Sequence, residues 1–205
     1  IMVLPTGAGK TTLSEVKIAG NLARGKNVIF LAPTNSLVEQ LQADLGNAFP
    51  EELIGSSVSS DFDLILQIES DFQPIEVMTP EKCLALLNFV PEAFTNVGLF
   101  IFDECHMLSP TAGSFRRALD GMLCILAFQK LMVEAGQQAD FLFLSAMVDN
   151  ATDFAEWIEN FTQRPCLPID LAWKPSRQAR GVVTYANSEL QQAKDRATAL
   201  HRGRQ

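Results

Sequence analysis

Nine residues near the amino end of this chain, Leu4-Pro-Thr-Gly-Ala-Gly-Lys-Thr-Thr12, join an apolar run (Ile1 to Leu4) to a segment of helical period. A strand that turns through glycines straight into a helix needs a sheet for that helix to cover, which narrows the fold at once. Gly7 and Gly9 let the backbone wrap an anion with no Cβ in the way, and successive N–H groups point into the concavity. The partial positive charge of the following helix N-terminus adds to the attraction. The pattern predicts a polyphosphate cradle made by Pro5, Thr6, Gly7, Ala8, Gly9, Lys10, Thr11 and Thr12. Lys10 reaches the β- and γ-phosphates, and the Thr11 hydroxyl is a ligand for Mg²⁺.

A second stretch supplies what a cradle alone lacks. Val97 to Phe102 is apolar throughout, as a strand covered on both sheet faces reads, and it runs directly into Asp103-Glu104-Cys105-His106. Carboxylates at the carboxyl end of such a strand stand where open α/β sheets bind ligands, so they can meet the Lys10 turn although far away in sequence. Asp103 is expected to hold the Mg²⁺ shell and Glu104 to orient and deprotonate an attacking water. An Asp-Glu pair at a strand end is common by itself. Together with the upstream cradle it predicts ATP hydrolysis.

Apolar strand-like runs at Ile1 to Leu4, Val28 to Ala32, Ile75 to Met78, Leu99 to Phe102, Phe141 to Leu144 and Gly181 to Tyr185 alternate with helical segments. The helices are expected at Thr11 to Ala23, Ser36 to Asn47, Pro80 to Asn88, Phe115 to Ala135, Ala151 to Phe161 and Ser188 to Leu200. Such alternation predicts an α/β fold with a mainly parallel central sheet and helices on both faces. In the fourth helix Leu119, Met122, Leu123, Leu126 and Leu131 are expected to face the sheet. Between Phe49 and Gln73 the pattern weakens, and a bulge or a mobile stretch is expected there.

Composition limits the partners. With 205 residues, 47% of them hydrophobic, the chain can bury one sizeable core. A formal net charge of −8 gives no general attraction to nucleic acid, so any strand must be held by local N–H groups and a few cations. Cys83, Cys105, Cys124 and Cys166 show no paired metal-ligand spacing, and a reducing cytoplasm suits them; Cys105 reads as a buried spectator. No apolar run is long enough to cross a bilayer.

With these residues in view, the chain resembles superfamily 2 helicases of the DExH group. Pro5 to Thr11 is similar to motif I and Asp103 to His106 to motif II. Ala32 to Gln40 resembles motif Ia, Met78 to Lys82 motif Ib, and Leu144 to Met147 motif III, in the family's order. The run Val148 to Ile158 resembles superkiller-type and archaeal repair helicases. Leu4 stands where the general phosphate-loop pattern has its first Gly, which the helicase form of the loop tolerates.

The resemblance implies a RecA-like P-loop NTPase domain over residues 1–175, followed by a final strand and linker helix over 176–205 that lead to a second RecA-like domain. It implies that Pro33, Thr34, Thr79, Pro80 and Glu81 grip a single-stranded or partly duplex nucleic acid by sugar and phosphate. Ser145 and Ala146 would couple this grip to the nucleotide, with His106 carrying the signal. Two positions depart from the family: Asn35 replaces an Arg in motif Ia, and Met147 replaces a Thr in motif III. Weaker strand affinity and looser coupling are expected from them. Three readings follow: an ATP-dependent helicase or translocase; a nucleotide-gated binding or scaffold module that does not unwind; and a duplex translocase of a restriction or defence system.

Overall fold

A computed structural model of the chain describes residues 1–4, 9–56, 72–109, 115–146, 150–170, 191–192 and 194–196. Two compact units are distinguished, Ile1–Pro175 and Ser176–Gln205. In the smaller unit residues 191–192 and 194–196 are helical, and Gln191 Nε2 donates to Asp195 Oδ1 at 3.2 Å. The expected strand Gly181 to Tyr185 lies outside the described residues.

The larger unit is built on seven strands: β1 (Met2–Val3), β2 (Asn27–Leu31), β3 (Ile54–Ser56), β4 (Ile75–Met78), β5 (Val97–Phe102), β6 (Asp140–Ser145) and β7 (Ile169–Asp170). Their spatial order is β3-β4-β2-β5-β6-β1-β7, and every neighbouring pair is parallel. Among the described residues of this unit five α-helices accompany them: α1 (Lys10–Leu22), α2 (Asn35–Gly46), α3 (Pro80–Phe89), α4 (Phe115–Glu134) and α5 (Ala151–Thr162). The mainly parallel α/β sheet expected from the alternating pattern is therefore present, with every expected helix that lies in this unit starting and ending within one residue of its expected bounds.

Successive side chains along each strand go to opposite faces and build two separate cores. Val28 and Phe30, with Leu99 and Ile101, pack with Ile18 of α1 and Val38, Leu41 and Leu45 of α2. Ile29 and Leu31, with Phe100 and Phe102, pack on the other face with Leu86 of α3, Phe128 of α4 and Ile158 of α5. Phe100 and Phe128 stack with ring centroids 4.5 Å apart, and Phe102 and Phe143 follow at 6.4 Å. All six residues of β5 are buried, which accounts for its unbroken apolar sequence.

Two edge strands escape the sequence pattern. β3 pairs Gly55 with Glu76 of β4, and Glu76 is itself buried. A Cβ on Gly55 would collide with the Glu76 carboxylate, so a larger residue there needs the Glu76 side chain to move. Glu76 Oε1 accepts the Gln73 N–H at 2.9 Å. β7 lengthens the opposite edge beside β1.

The expected face of α4 needs correction. Leu119, Leu123 and Leu126 are exposed, whereas Ala118, Gly121, Cys124, Ile125, Phe128 and Met132 are buried; Met122 and Leu131 are partly buried against the core. Leu119, Leu123 and Leu126 extend the apolar residues of the helix beyond its buried stripe, so period alone leaves two overlapping stripes. Close approach decides between them: a Cβ at Gly121 would sit 2.8 Å from Leu108 Cδ2 and 3.1 Å from Phe102 Cζ. Small residues fit this interface and the bulkier leucines turn outwards.

Candidate nucleotide and strand site

The carboxyl edge of the sheet gathers most of the residues singled out above. β6 lies between β1 and β5, with Val3 opposite Ser145 and Phe102 opposite Phe143, so the chain leaves β1 towards Lys10 and leaves β5 at Asp103 with only one strand between them. Gly9 caps α1 with φ +84, a left-handed conformation that glycine adopts without cost. Lys10 is half-buried in the first turn, and Thr11 and Thr12 are exposed beside it. Ser14 Oγ donates to Lys10 O at 2.9 Å and Leu13 N to Gly9 O at 3.1 Å, which fixes that turn. Pro5, Thr6, Gly7 and Ala8 lie outside the described residues.

Asp103 is tied to β2, its N–H donating to Leu31 O at 2.9 Å, and its Oδ1 accepts the Glu104 N–H at 2.8 Å. Burial pushes its carboxyl pKa up; the Glu104 N–H bond, the Lys10 ammonium and His106 each pull it back down. Hard oxygen donors of this kind, a carboxylate and the exposed Thr11 hydroxyl, fit Mg²⁺, which keeps waters and phosphate oxygens as its other ligands. Among the described residues no group of three or more His, Cys, Asp and Glu is placed to cage a metal.

Glu104 has φ 51 and ψ 44, a left-handed backbone that is unusual away from glycine. Such a conformation costs roughly 1–2 kcal/mol. It starts the 3₁₀ turn Cys105–Leu108 and brings the Glu104 carboxylate back onto the turn's second residue. Glu104 Oε2 and His106 Nδ1 are 3.1 Å apart, and Ser145 Oγ is 3.4 Å from the same nitrogen. Ser145 is buried, and its carbonyl accepts the Leu4 N–H at 3.0 Å. Half-buried Ala146 follows it; Met147 lies outside the described residues. The Cys105 side chain points into the core, and burial pushes its thiol up to about 12, so it is unreactive at neutral pH.

β2 and β4 are adjacent and in register, Leu31 opposite Met78, so the turns that follow them are neighbours on the same edge. Each opens a helix through a threonine cap: Thr34 Oγ1 accepts Leu37 N at 3.3 Å and Thr79 Oγ1 accepts Lys82 N at 3.4 Å. A hydroxyl that accepts still carries a proton to donate, so capping and phosphate contact are compatible. Pro33 and Pro80 are buried and shape the two turns, while Thr34, Thr79 and Glu81 stay half-exposed and Asn35 fully exposed. Arg117 of α4 also reaches this edge, with its Nε 3.7 Å from Glu81 Oε1. Nothing in the sequence motifs singles it out. The only signal is a pair of arginines, Arg116 and Arg117, in an acidic chain.

The fold and this edge define an α/β domain of the RecA-like class. The DEAD/DEAH box helicase family model matches residues 1–154. The chain belongs to that family. It is 27% identical to Hachiman protein HamB of Bacillus cereus over 198 residues, 93% of this chain and 17% of that protein. It is 29% identical to ATP-dependent DNA helicase Hel308 of Aeropyrum pernix over 184 residues, 85% of this chain and 22% of the relative. To ATP-dependent RNA helicase mtr4 of Schizosaccharomyces pombe it is 26% identical over 171 residues, 83% of this chain and 14% of the relative. The chain therefore spans about a fifth or less of these relatives. Among solved structures it is similar in fold to DUF1998 helicase MrfA bound to DNA, with a TM-score of 0.63 at 20% identity, covering 82% of this chain and 23% of that one. The Pyrococcus furiosus Hef helicase domain matches with a TM-score of 0.54 at 23% identity, over 79% of this chain and 33% of that one.

Proposed function

We propose that this chain is the first motor domain of an ATP-dependent nucleic-acid helicase or translocase, in which ATP turnover drives movement along a strand. The observation that carries the reading is geometric: β1, which leads to Lys10, and β5, which ends at Asp103, are separated by a single strand, and the chain leaves both at the same carboxyl edge of the sheet. Lys10 and the N–H groups at the start of α1 hold the β- and γ-phosphates. Thr11 and Asp103 would hold Mg²⁺, whose charge would offset that of the phosphates. Glu104 orients the attacking water and takes its proton. Its left-handed backbone sets that carboxylate beside His106, with Oε2 3.1 Å from Nδ1.

Coupling is assigned to the contacts around His106. Glu104 and Ser145 share its Nδ1, and Ser145 is bonded through its backbone to the residue that enters the phosphate loop. A change at the γ-phosphate is therefore felt at the end of β6. Thr34, Thr79 and Glu81 form the strand grip, with Pro33 and Pro80 setting its shape. Relatives named as a DNA helicase and as RNA helicases share this chain's family, and a grip on sugar and phosphate serves either strand. Residues 176–205 lead towards a second RecA-like domain of the same parent protein, which completes the ATP site.

The test uses the 205-residue chain itself. Weak Mg²⁺-dependent binding of a fluorescent ATP analogue, and slow phosphate release from ATP, are expected. Brisk strand-stimulated hydrolysis by this chain alone would contradict a motor that needs two domains.

A further inference from the structure

In a chain of net charge −8, a strand grip made of two capped helix starts and an acid needs a cation. Arg117 is placed to be that cation. It lines a narrow crevice together with Pro33, Pro80, Glu81, Met107 and Leu108, which places it beside the turn after β2, the start of α3 and the turn that follows the acid pair. On its other side an open cleft of about 530 Å³ runs between α3 and α4, lined by Glu81, Asn88, Arg116, Arg117 and Asp120 among others. The Arg117 side chain is 51% exposed and that of Arg116 90% exposed.

Both guanidiniums rest on acids. Arg117 Nε is 3.7 Å from Glu81 Oε1, and Arg116 Nε is 4.0 Å from Asp120 Oδ2. Neither distance is that of a tight fork, and half-exposed pairs of this kind contribute little to stability. A backbone phosphate offers two oxygens to the planar fork, a stronger contact than one long carboxylate approach. Exchange of Glu81 for phosphate is therefore easy.

We propose that Arg117 binds a backbone phosphate of the strand, with Glu81 as the resting partner that it gives up. The inference rests on the strand-binding reading given under Proposed function.

Fluorescence anisotropy of fluorescein-labelled 20-nucleotide oligo-dT and oligo-U, titrated with the chain between 50 and 200 mM salt, tests the inference. Arg117→Gln is expected to weaken binding about fivefold and to lower the slope of log K against log salt by about 0.7–1. Arg117→Lys keeps the slope but loses part of the affinity, because the charge remains and the fork does not. Lys130→Gln makes the same charge change on the outer part of α4, where Lys130 pairs with Glu134 at 3.7 Å, and leaves the slope unaltered. If the unaltered chain binds both strands and Arg117→Gln keeps its slope, Arg117 is not a phosphate ligand. An equal fall in slope for Lys130→Gln and Arg117→Gln would likewise overturn the assignment, since net charge alone would explain it. No salt-dependent binding by the unaltered chain would overturn the strand-binding reading beneath it.

Discussion

Ser145 Oγ stands 3.4 Å from His106 Nδ1, while the carbonyl of the same serine accepts the N–H of Leu4 at 3.0 Å. One buried residue thus touches both the turn that carries the acid pair and the strand that enters the phosphate loop. A polar side chain buried at a strand end must be satisfied, and here its satisfaction links two parts of the site.

Ser145→Ala removes the side-chain link and leaves the backbone bond to Leu4. In the full-length protein nucleotide affinity is expected to stay within about twofold, while strand-stimulated turnover falls towards the basal rate. Phosphate release with and without oligonucleotide measures the ratio. Equal loss of basal and stimulated rates would place Ser145 in the chemistry itself.

Glu104 and Lys10 separate turnover from binding. Glu104→Gln keeps the shape of the side chain but cannot take a proton, so hydrolysis should fall by about 100-fold or more with nucleotide binding retained. Lys10→Ala should weaken binding itself. Titration with a fluorescent nucleotide beside single-turnover hydrolysis distinguishes the two; near-normal turnover in Glu104→Gln would remove Glu104 from the role of base.

Away from the site, Asp140 at the start of β6 sets a pH-dependent stability. Burial raises its pKa, but hydrogen bonds from Lys17 Nζ and Arg164 Nη2, each 2.7 Å long, outweigh burial and leave it below the ordinary value. A depressed folded-state pKa gives stability that is present above the unfolded-state value and lost as pH falls through the folded-state one. Asp140→Asn should therefore cost about 1 kcal/mol at neutral pH, a figure held low because Lys17 and Arg164 are partly exposed. Thermal unfolding of the two proteins should converge below the carboxylate range. A difference that persists unchanged into acid would assign the loss to packing rather than to charge.

The central strands were legible because β2, β4 and β5 are buried on both faces and so write themselves as unbroken apolar runs. The short edge strands were not: β3 has glycine at its centre, and β7 follows Pro165 and Pro168 with no apolar run to mark it. The buried face of α4 is not legible in its period, because Leu119, Leu123 and Leu126 widen its apolar side, and the tight approach of Gly121 to Phe102 and Leu108 selects the stripe that faces the sheet. At the site, the residue types and their order could be read in the chain. The left-handed backbone of Glu104, the shared His106 nitrogen and the approach of Arg117 to Glu81 arise from tertiary packing, which spacing along the sequence does not encode.

The most direct measurement is a double-mutant cycle on Mg²⁺-dependent nucleotide binding with Lys10→Ala, Asp103→Asn and the pair combined. Two groups that clasp one metal–triphosphate are expected to show an interaction energy well above about 0.5 kcal/mol. Strictly additive losses, as for groups that act at separate places, would contradict the nucleotide site proposed here.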